Sequence, residues 1–246
     1  ISVVSLDLRL TIGSRWGIPL YLLALRRCDR IDALSEGIAQ SLSTKGFSGS
    51  KVSVAPCSFT DLSGYRPSPQ KRDWVVFAGR FVPEKNPLLF LRAIPRVLSI
   101  FPEAFFFLLG EGPLQEEIER ETERLGLSKK VQVQFLPDVG PVLSESKVFV
   151  SLQKHNNYPS QSLLEAMACE NAVVATNRGE TDRLVTPELG ILIEEDEEAL
   201  ASAVIELLQD ESTRRRMGEL ARKRIEREHS IERFIEYLVG LYNQLS

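Results

Sequence analysis

Apolar residues follow two spacings that occur in turn along the chain. Short apolar or alternating runs predict β-strands at residues 3–10, 30–34, 51–55, 73–78, 104–109, 131–135, 147–152, 172–175 and 190–193. Between them, apolar residues recur three or four positions apart, which predicts helices. Because strands alternating with helices form βαβ crossovers, the pattern predicts an α/β fold with a parallel sheet and helices on both of its faces.

Signals at helix ends support this pattern. Ser35 is a predicted N-cap for a helix ending near Gly46, and Pro87 suits the first position of a helix, where its missing N–H costs nothing. The predicted inward face of the Pro87 helix consists of Leu88, Leu91, Ile94 and Leu98. From Leu200 onward the chain is predicted to be helical, and its arginine runs alternate with glutamates, which indicates a solvated face.

Composition and charge limit the classes of partner. The chain has 246 residues, 43% of them hydrophobic, and a net charge of −4 without a basic block, so we predict no nucleic-acid partner. Cys28, Cys57 and Cys169 are far apart and lack metal-site spacing, which favours free thiols in a reducing, cytoplasmic compartment. With only two histidines, a zinc site is not expected.

The organisation of the chain is indicated by its start and by one change of composition. The chain begins with Ile1 rather than Met, inside what reads as folded sequence, so we expect an excerpt of a longer protein. Its longest apolar run, residues 16–25, is too short to span a bilayer. Residues 56–72 are rich in Pro, Gly and polar residues, which predicts a linker and a domain boundary.

The stretch 157–168 predicts a short helix with two different faces. Pro159 disfavours helix before it and Ser160 is a good N-cap, so the helix should begin there. The predicted apolar face consists of Leu163, Leu164, Met167 and Ala168, and the polar face of Gln161, Ser162 and Glu165. Its free N–H groups suit an anion; the alternative is a capped core helix with a solvated Glu165.

Loops at the carboxyl ends of the strands should converge, because ligands of parallel sheets bind there. The predicted loops are residues 79–86, 110–112, 137–140, 153–160 and 176–180. Gly79 lets the backbone approach a ligand, while Arg80 and Lys85 supply two cations suited to a diphosphate. Glu165 would then suit a ribose diol. The alternative is that Arg80 pairs with Glu84 and that Lys85 is a surface residue.

Other candidates give weaker signals. Gly110 and Gly112 fit a tight strand-to-helix turn at least as well as a binding loop. His155 lies in a predicted loop, where an exposed surface position is the default. No Asp-x-Asp pair ends a strand, which fits a site without a metal.

Several motifs occur in sequence along the chain. They are VFAGR at 76–80, EKN at 84–86, LGEGPL at 109–114, LLEAMAC at 163–169, VVAT at 173–176, GILI at 190–193 and a closing helix through 241–242. On these motifs, from about Arg30 to its end, the chain resembles the retaining, GT-B-fold nucleotide-sugar glycosyltransferases of the group 1, family 4 type.

The resemblance implies two facing Rossmann-like domains, of which the chain holds the second and part of the first. The implied division is 1–58 for the tail of the acceptor-side domain, 59–72 for the linker, 73–229 for the donor-binding domain and 230–246 for a helix crossing back. The implied donor is a nucleoside diphosphate sugar, used without a cofactor or metal. The implied acceptor is a glycan or lipid-linked molecule, which fits peripheral association with the inner membrane face through the missing part of the first domain.

The resemblance also implies roles for individual residues. Arg80 and Lys85 would hold the diphosphate, Glu165 the ribose, and the loop at Pro137 would lie by the base. The full predicted nucleotide-sugar-binding set is Gly79, Arg80, Lys85, Gly110, Pro137, Ser160, Gln161, Ser162, Leu163, Leu164 and Glu165. Arg80, Lys85 and Asn157 are the candidates for the catalytic step.

Two positions depart from the family pattern. A glutamate normally lies eight residues before Glu165, where this chain has Asn157, which can hydrogen-bond but cannot act as a base. Glu170 replaces a usual glycine, and we interpret this as a surface change. The leading hypothesis is therefore a retaining glycosyltransferase. The alternatives are a nucleotide-sugar-binding domain that has lost catalysis and, without specific support, a GT-B epimerase or hydrolase.

Overall fold

The structure, a computed structural model, describes residues 2–4, 17–33, 35–54 and 59–244. Most of the strand predicted at 3–10, and Cys57, lie outside the described residues. The chain forms two compact units, one of Ile1–Cys57 with Glu232–Ser246 and one of Ser58–Ile231. The predicted linker, residues 59–72, belongs to the second unit.

The first unit contains a three-stranded parallel sheet in the order β1-β2-β3. Its elements are β1 (Ser2–Val4), α1 (Gly17–Arg26), β2 (Ile31–Ala33), α2 (Glu36–Thr44), β3 (Val52–Val54) and most of α10 (Ile231–Asn243). Ser35 accepts a hydrogen bond from the Ile38 amide at 3.4 Å, which confirms the predicted N-cap of α2. Tyr237 of α10 hydrogen-bonds to Asp32 and Ser53 and so joins α10 to β2 and β3.

The second unit is built on a six-stranded parallel sheet in the order β6-β5-β4-β7-β8-β9. Its strands are β4 (Arg72–Ala78), β5 (Phe105–Leu109), β6 (Val131–Gln134), β7 (Ser146–Ser151), β8 (Ala172–Thr176) and β9 (Gly190–Ile193). In the centre, Val76 pairs with Phe107 on one side and with Phe149 on the other. These strands agree with the predicted ones to within a few residues and confirm the parallel sheet.

Helices cover both faces of this sheet, as predicted. They are α3 (Pro87–Leu98), α4 (Gln115–Arg124), α5 (Gly140–Glu145), α6 (Gln161–Ala168), α7 (Thr181–Leu184), α8 (Glu197–Gln209) and α9 (Glu211–Glu228), with a 3-10 turn at Pro83–Lys85. One core lies between the sheet and α3, α4 and α8. The other lies between the opposite face and α5, α6 and α9. The fold is therefore a doubly wound α/β domain.

Two details differ from the sequence predictions. On α3, Leu88 and Leu98 are only partly buried, whereas Leu89, Phe90 and Val97 are buried along with the predicted Leu91 and Ile94. The reason is that α8 packs against α3 in addition to the sheet, so a wider face of α3 is covered. The short helices α5 and α7 were not predicted, because helices this short lack a repeating apolar pattern.

A helix that spans a lipid bilayer must be about 20 residues long and predominantly apolar. Over the residues that the structure describes, no helix combines the length and apolar character needed to cross a membrane.

Glu170 is not merely a surface change, contrary to our interpretation. It follows α6 with φ of 57°, in the left-handed region, and Asn171 donates its amide to Ala166 at 3.1 Å, as in a Schellman motif. Helix α9 also packs closely here, because a Cβ on Gly218 would lie 2.3 Å from the Glu170 carbonyl oxygen. The usual glycine therefore suits the backbone conformation.

Replacing Glu170 with glycine should stabilise the protein. Glu170→Gly removes the Cβ that disfavours the left-handed conformation, so the free energy of unfolding should rise by about 1 kcal/mol in chemical denaturation. Glu170→Ala removes the same carboxylate but keeps the Cβ, and should bring no gain. An equal gain in both variants would show that the carboxylate, and not the backbone, is responsible.

Candidate nucleotide-binding site

The strand order identifies where the chain reverses direction across the sheet. From β4 the chain moves through α3 to β5 and then β6, and it returns through α5 to β7 on the other side of β4. At such a switch point the loops after neighbouring strands run to opposite faces and leave a crevice at their carboxyl ends. In this sheet the rule places the crevice between the loop 79–86 after β4 and the loop 152–160 after β7.

The loop after β4 is fixed by the turn that follows β5. Gly79 donates its amide to Leu109 at 2.9 Å, and Phe81 donates to Glu111 at 2.8 Å. A Cβ on Gly110 would lie 2.0 Å from the Gly79 carbonyl oxygen. Gly110 thus supports the binding loop by close backbone packing. This agrees with the prediction that it serves a tight turn between a strand and a helix. A Cβ on Gly79 itself would meet nothing within 4 Å, so this backbone borders open space.

Arg80 and Lys85 are the cations of this loop. Arg80 is exposed, whereas Lys85 is partly buried and its ammonium group donates to the Gln153 Oε1 at 2.9 Å. Burial, and then the positive charge of Arg80, lower the pKa of Lys85 to about 8. Among residues 59–244 neither cation forms an ion pair, so the alternative pairing of Arg80 with Glu84 is not found. This positive charge therefore has no counterion in the part of the chain that the structure describes.

Gln153 is a site residue that the sequence prediction missed. It is 8% exposed. Its backbone N–H donates to the Thr176 hydroxyl at 2.7 Å, and that hydroxyl donates to the backbone carbonyl of Gln153 at 2.8 Å. One residue later, the Lys154 amide donates to the Glu84 carbonyl at 3.0 Å. These bonds join the loops after β4 and β7 to each other and to the end of β8. Only its place just beyond a buried strand could have indicated a role for Gln153.

Helix α6 begins in the loop after β7 and has the two faces that were predicted. Its buried residues are Leu163, Leu164, Ala166, Met167 and Ala168, while Gln161 is exposed and Ser162 and Glu165 are partly buried. The capping prediction was wrong in one respect. Ser160 occupies the N-cap position, but its hydroxyl makes no capping bond and lies 3.4 Å from the Ser162 hydroxyl. Ser160 therefore leaves the N-terminal N–H groups of α6 without a side-chain cap.

Glu165 lies in a polar cluster on the outer face of α6. Gln161 donates to its carboxylate at 3.1 Å, and the Tyr65 hydroxyl also hydrogen-bonds to it. Burial raises the pKa of Glu165, and the negative charge of Asp138 raises it further, while the two hydrogen bonds act in the opposite direction. Tyr65 comes from the predicted linker, and no sequence signal marked it. The cluster orients the carboxylate that the resemblance assigns to a ribose.

The remaining predicted residues lie in loops at the same edge of the sheet. Pro137 is exposed just after β6, and its neighbour Asp138 accepts the Gly140 amide at 2.8 Å at the start of α5. Asn157 and His155 are both exposed in the loop before α6. The structure thus joins Lys85 to the β7 loop and Glu165 to the linker. It records no direct contact between these two clusters within the described residues.

A metal site needs several ligating side chains close together. Within the described part of the chain, no group of three or more His, Cys, Asp or Glu side chains is placed to hold a metal ion. Independence of metal nevertheless stays a prediction.

The chain is similar to known glycosyltransferases. It is 28% identical over 203 residues to the GalNAc-alpha-(1->4)-GalNAc-alpha-(1->3)-diNAcBac-PP-undecaprenol alpha-1,4-N-acetyl-D-galactosaminyltransferase of Campylobacter jejuni, covering 78% of this chain and 55% of that protein. It is 28% identical over 172 residues to the capsular polysaccharide biosynthesis glycosyltransferase CapM of Staphylococcus aureus, covering 68% and 45%. The chain thus spans about half the length of these curated relatives.

Solved structures and a family model agree with these relatives. The crystal structure of Anabaena HepE in complex with UDP and glucose superimposes with a TM-score of 0.81 at 18% identity, covering 92% of this chain and 66% of that one, and so shares the GT-B fold. The family model described as "Glycosyl transferases group 1" matches residues 60–224, which are most of the second unit. The chain therefore belongs to the group 1 glycosyl transferases, as its motifs indicated.

Proposed function

We propose that the second unit binds a nucleoside diphosphate sugar and forms the donor half of a retaining, metal-independent glycosyltransferase. The acceptor would be a glycan or a lipid-linked molecule bound by a longer protein at the inner membrane face. The observation that supports this most is a pair of cations at the switch point of the sheet, Arg80 and partly buried Lys85, that have no counterion among the described residues. Such a pair stabilises a diphosphate and, during transfer, the charge that develops on it as leaving group.

Other features fit the same ligand. The N-terminus of α6 opens into the loop that Gln153 ties to Lys85, and helix N-terminal N–H groups suit phosphate oxygens. Glu165, held by Gln161 and Tyr65, presents a carboxylate that can accept two hydrogen bonds from a ribose diol. Two named relatives are glycosyltransferases of surface or lipid-linked glycans, which is consistent with the proposed class of acceptor.

The assignment of Glu165 predicts a hydroxyl-specific loss of affinity. Glu165→Gln keeps the shape of the side chain but removes its charge. Because a charge-assisted hydrogen bond is lost, UDP should bind about tenfold more weakly, as measured by calorimetry. With 2′,3′-dideoxy-UDP, which lacks the diol, the wild type and the variant should bind equally. An equal loss for both nucleotides would contradict the ribose assignment.

A second function, nucleotide-sugar binding without transfer, is favoured by one observation. Asn157 lies exposed in the loop before α6, where the family has a glutamate, and no side-chain hydrogen bond of Asn157 is recorded within residues 59–244. If catalysis rests on stabilising the leaving group, restoring the acid with Asn157→Glu should change the transfer rate of the full-length protein less than about tenfold. A large gain from negligible starting activity would instead support the binding-only function.

A further inference from the structure

The side-chain partner of Lys85 in the loop after β7 is a neutral amide, that of Gln153. Gln153 is 8% exposed, and the reciprocal hydrogen bonds with Thr176 fix its backbone between β7 and β8. Its Oε1 accepts from Lys85 at 2.9 Å, while its Nε2 lies 3.4 Å from the Ser151 hydroxyl. The backbone of Gln153 is thus held by β8, and its side chain contacts Ser151 of β7 and Lys85. A glutamate of the same length would fit this place and neutralise the cation.

The charged groups around Lys85 do not neutralise its charge, so the neutrality of its amide partner matters for binding. Arg80 and Glu84 share its loop, and on the next loop Lys154 forms a 3.4 Å ion pair with Glu195. Of these, Arg80 is the group that acts on Lys85, and it is repulsive. Within residues 59–244 no carboxylate lies at ion-pair distance from Lys85. A partly buried cation left with a neutral partner retains its capacity to bind an anion.

We propose that Gln153 is a positioning residue for the donor: it holds the Lys85 ammonium group at the crevice between β4 and β7 while leaving its charge to the diphosphate. This inference rests on the proposed function and adds to it the residue that sets selectivity for an anionic ligand. A hydrogen bond from a neutral amide restricts the flexible lysine side chain without competing for its charge.

The proposal predicts a coupling between Gln153 and the titration of Lys85. In the wild type, diphosphate binding should take up a proton near pH 8 to 9, because Lys85, with a pKa of about 8, becomes charged as the anion arrives. In Gln153→Glu the new carboxylate should raise the pKa of Lys85 before any ligand binds, and the proton uptake should disappear.

The test combines three variants with two readouts. Gln153→Glu adds a charge, Gln153→Met removes the hydrogen bond at similar length, and Gln132→Glu adds the same charge at an exposed position of β6 as a control. The first readout is the pKa of Lys85 in the ligand-free protein, from NMR of ¹³C-methylated lysines, with Lys85→Arg to assign the signal. The second is the affinity for UDP and its proton uptake, by calorimetry in buffers of different ionisation enthalpy.

We expect Gln153→Glu to raise the pKa of Lys85 by about one unit or more and to lower UDP affinity at least about tenfold. Gln153→Met should lower the affinity about threefold to tenfold, and Gln132→Glu should leave both readouts unchanged. The proposal is overturned if Gln153→Glu changes neither readout, if Gln153→Met binds like the wild type, or if Gln132→Glu has an equal effect.

Different results would contradict the donor site and the role of Gln153. If the wild type binds UDP and the Gln153 variants bind it with the same affinity, the assignment of the donor site is supported and the proposed role of Gln153 is wrong. If neither UDP nor GDP binds the wild type, the proposed function falls and the role of Gln153 in binding falls with it, even if its coupling to the pKa of Lys85 is observed.

Discussion

Replacing Gly110 with alanine is expected to destabilise the second unit by about 2–4 kcal/mol and to abolish measurable nucleotide binding. The added Cβ would lie 2.0 Å from the Gly79 carbonyl oxygen and 3.2 Å from the Phe81 ring, and backbone cannot move aside as a flexible side chain can. Because the loop after β4 would have to shift, Arg80 and Lys85 would lose their positions. Urea unfolding and UDP titration measure the two effects.

A matched glycine in the same unit provides the control. A Cβ on Gly64 would meet only the Asp61 carbonyl oxygen, at 3.7 Å, an ordinary contact. Gly64→Ala should therefore change the stability by less than about 1 kcal/mol and leave UDP binding intact. If Gly110→Ala were as stable as Gly64→Ala and bound UDP normally, the packing of the β5 turn under the binding loop would not matter for the site.

Replacing Lys85 with alanine is expected to weaken UDP binding about a hundredfold at neutral pH, the upper range for losing a charge-assisted contact with a diphosphate. The effect should depend on pH. The pKa of free Lys85 is about 8, and a bound diphosphate raises it, so wild-type affinity should be constant below that pH and fall as pH rises above it. The variant should show no such fall, so the two affinities should converge at high pH.

Lys129→Ala tests whether this loss is specific. Lys129 is exposed just before β6, at the opposite edge of the sheet, and its removal takes away the same formal charge. Titrations of both variants between about pH 6 and pH 10 should show a loss and a changed pH profile for Lys85→Ala only. A parallel profile for Lys85→Ala and the wild type would mean that another group titrates on binding.

Local signals explain which parts of the fold and site could be predicted. Strands β4 to β9 are short apolar runs or, in β6, an alternating run between glycine, proline and polar turns, so the spacing of apolar residues and the flanking turn residues were enough to place them. The loop 79–86 was predictable because it directly follows a buried strand. The faces of α6 followed from helical periodicity alone, including the outward position of Glu165.

What could not be predicted depends on contacts between distant segments or on backbone angles. Gln153 and Tyr65 acquire their roles from Lys85 and Glu165, which are far away in sequence. The wide buried face of α3 results from packing against α8, which no local pattern encodes. Glu170 looked like a surface substitution because its left-handed φ is not visible in the residue type.

The most direct test of the donor site is a calorimetric titration of the chain with UDP and with GDP at about pH 7. We predict saturable binding of at least one nucleotide with one site per chain, strongly weakened by Lys85→Ala and more modestly by Glu165→Gln. If neither nucleotide bound the wild type, or if Lys85→Ala bound as tightly as the wild type, the assignment of the crevice between β4 and β7 as the donor site would be wrong.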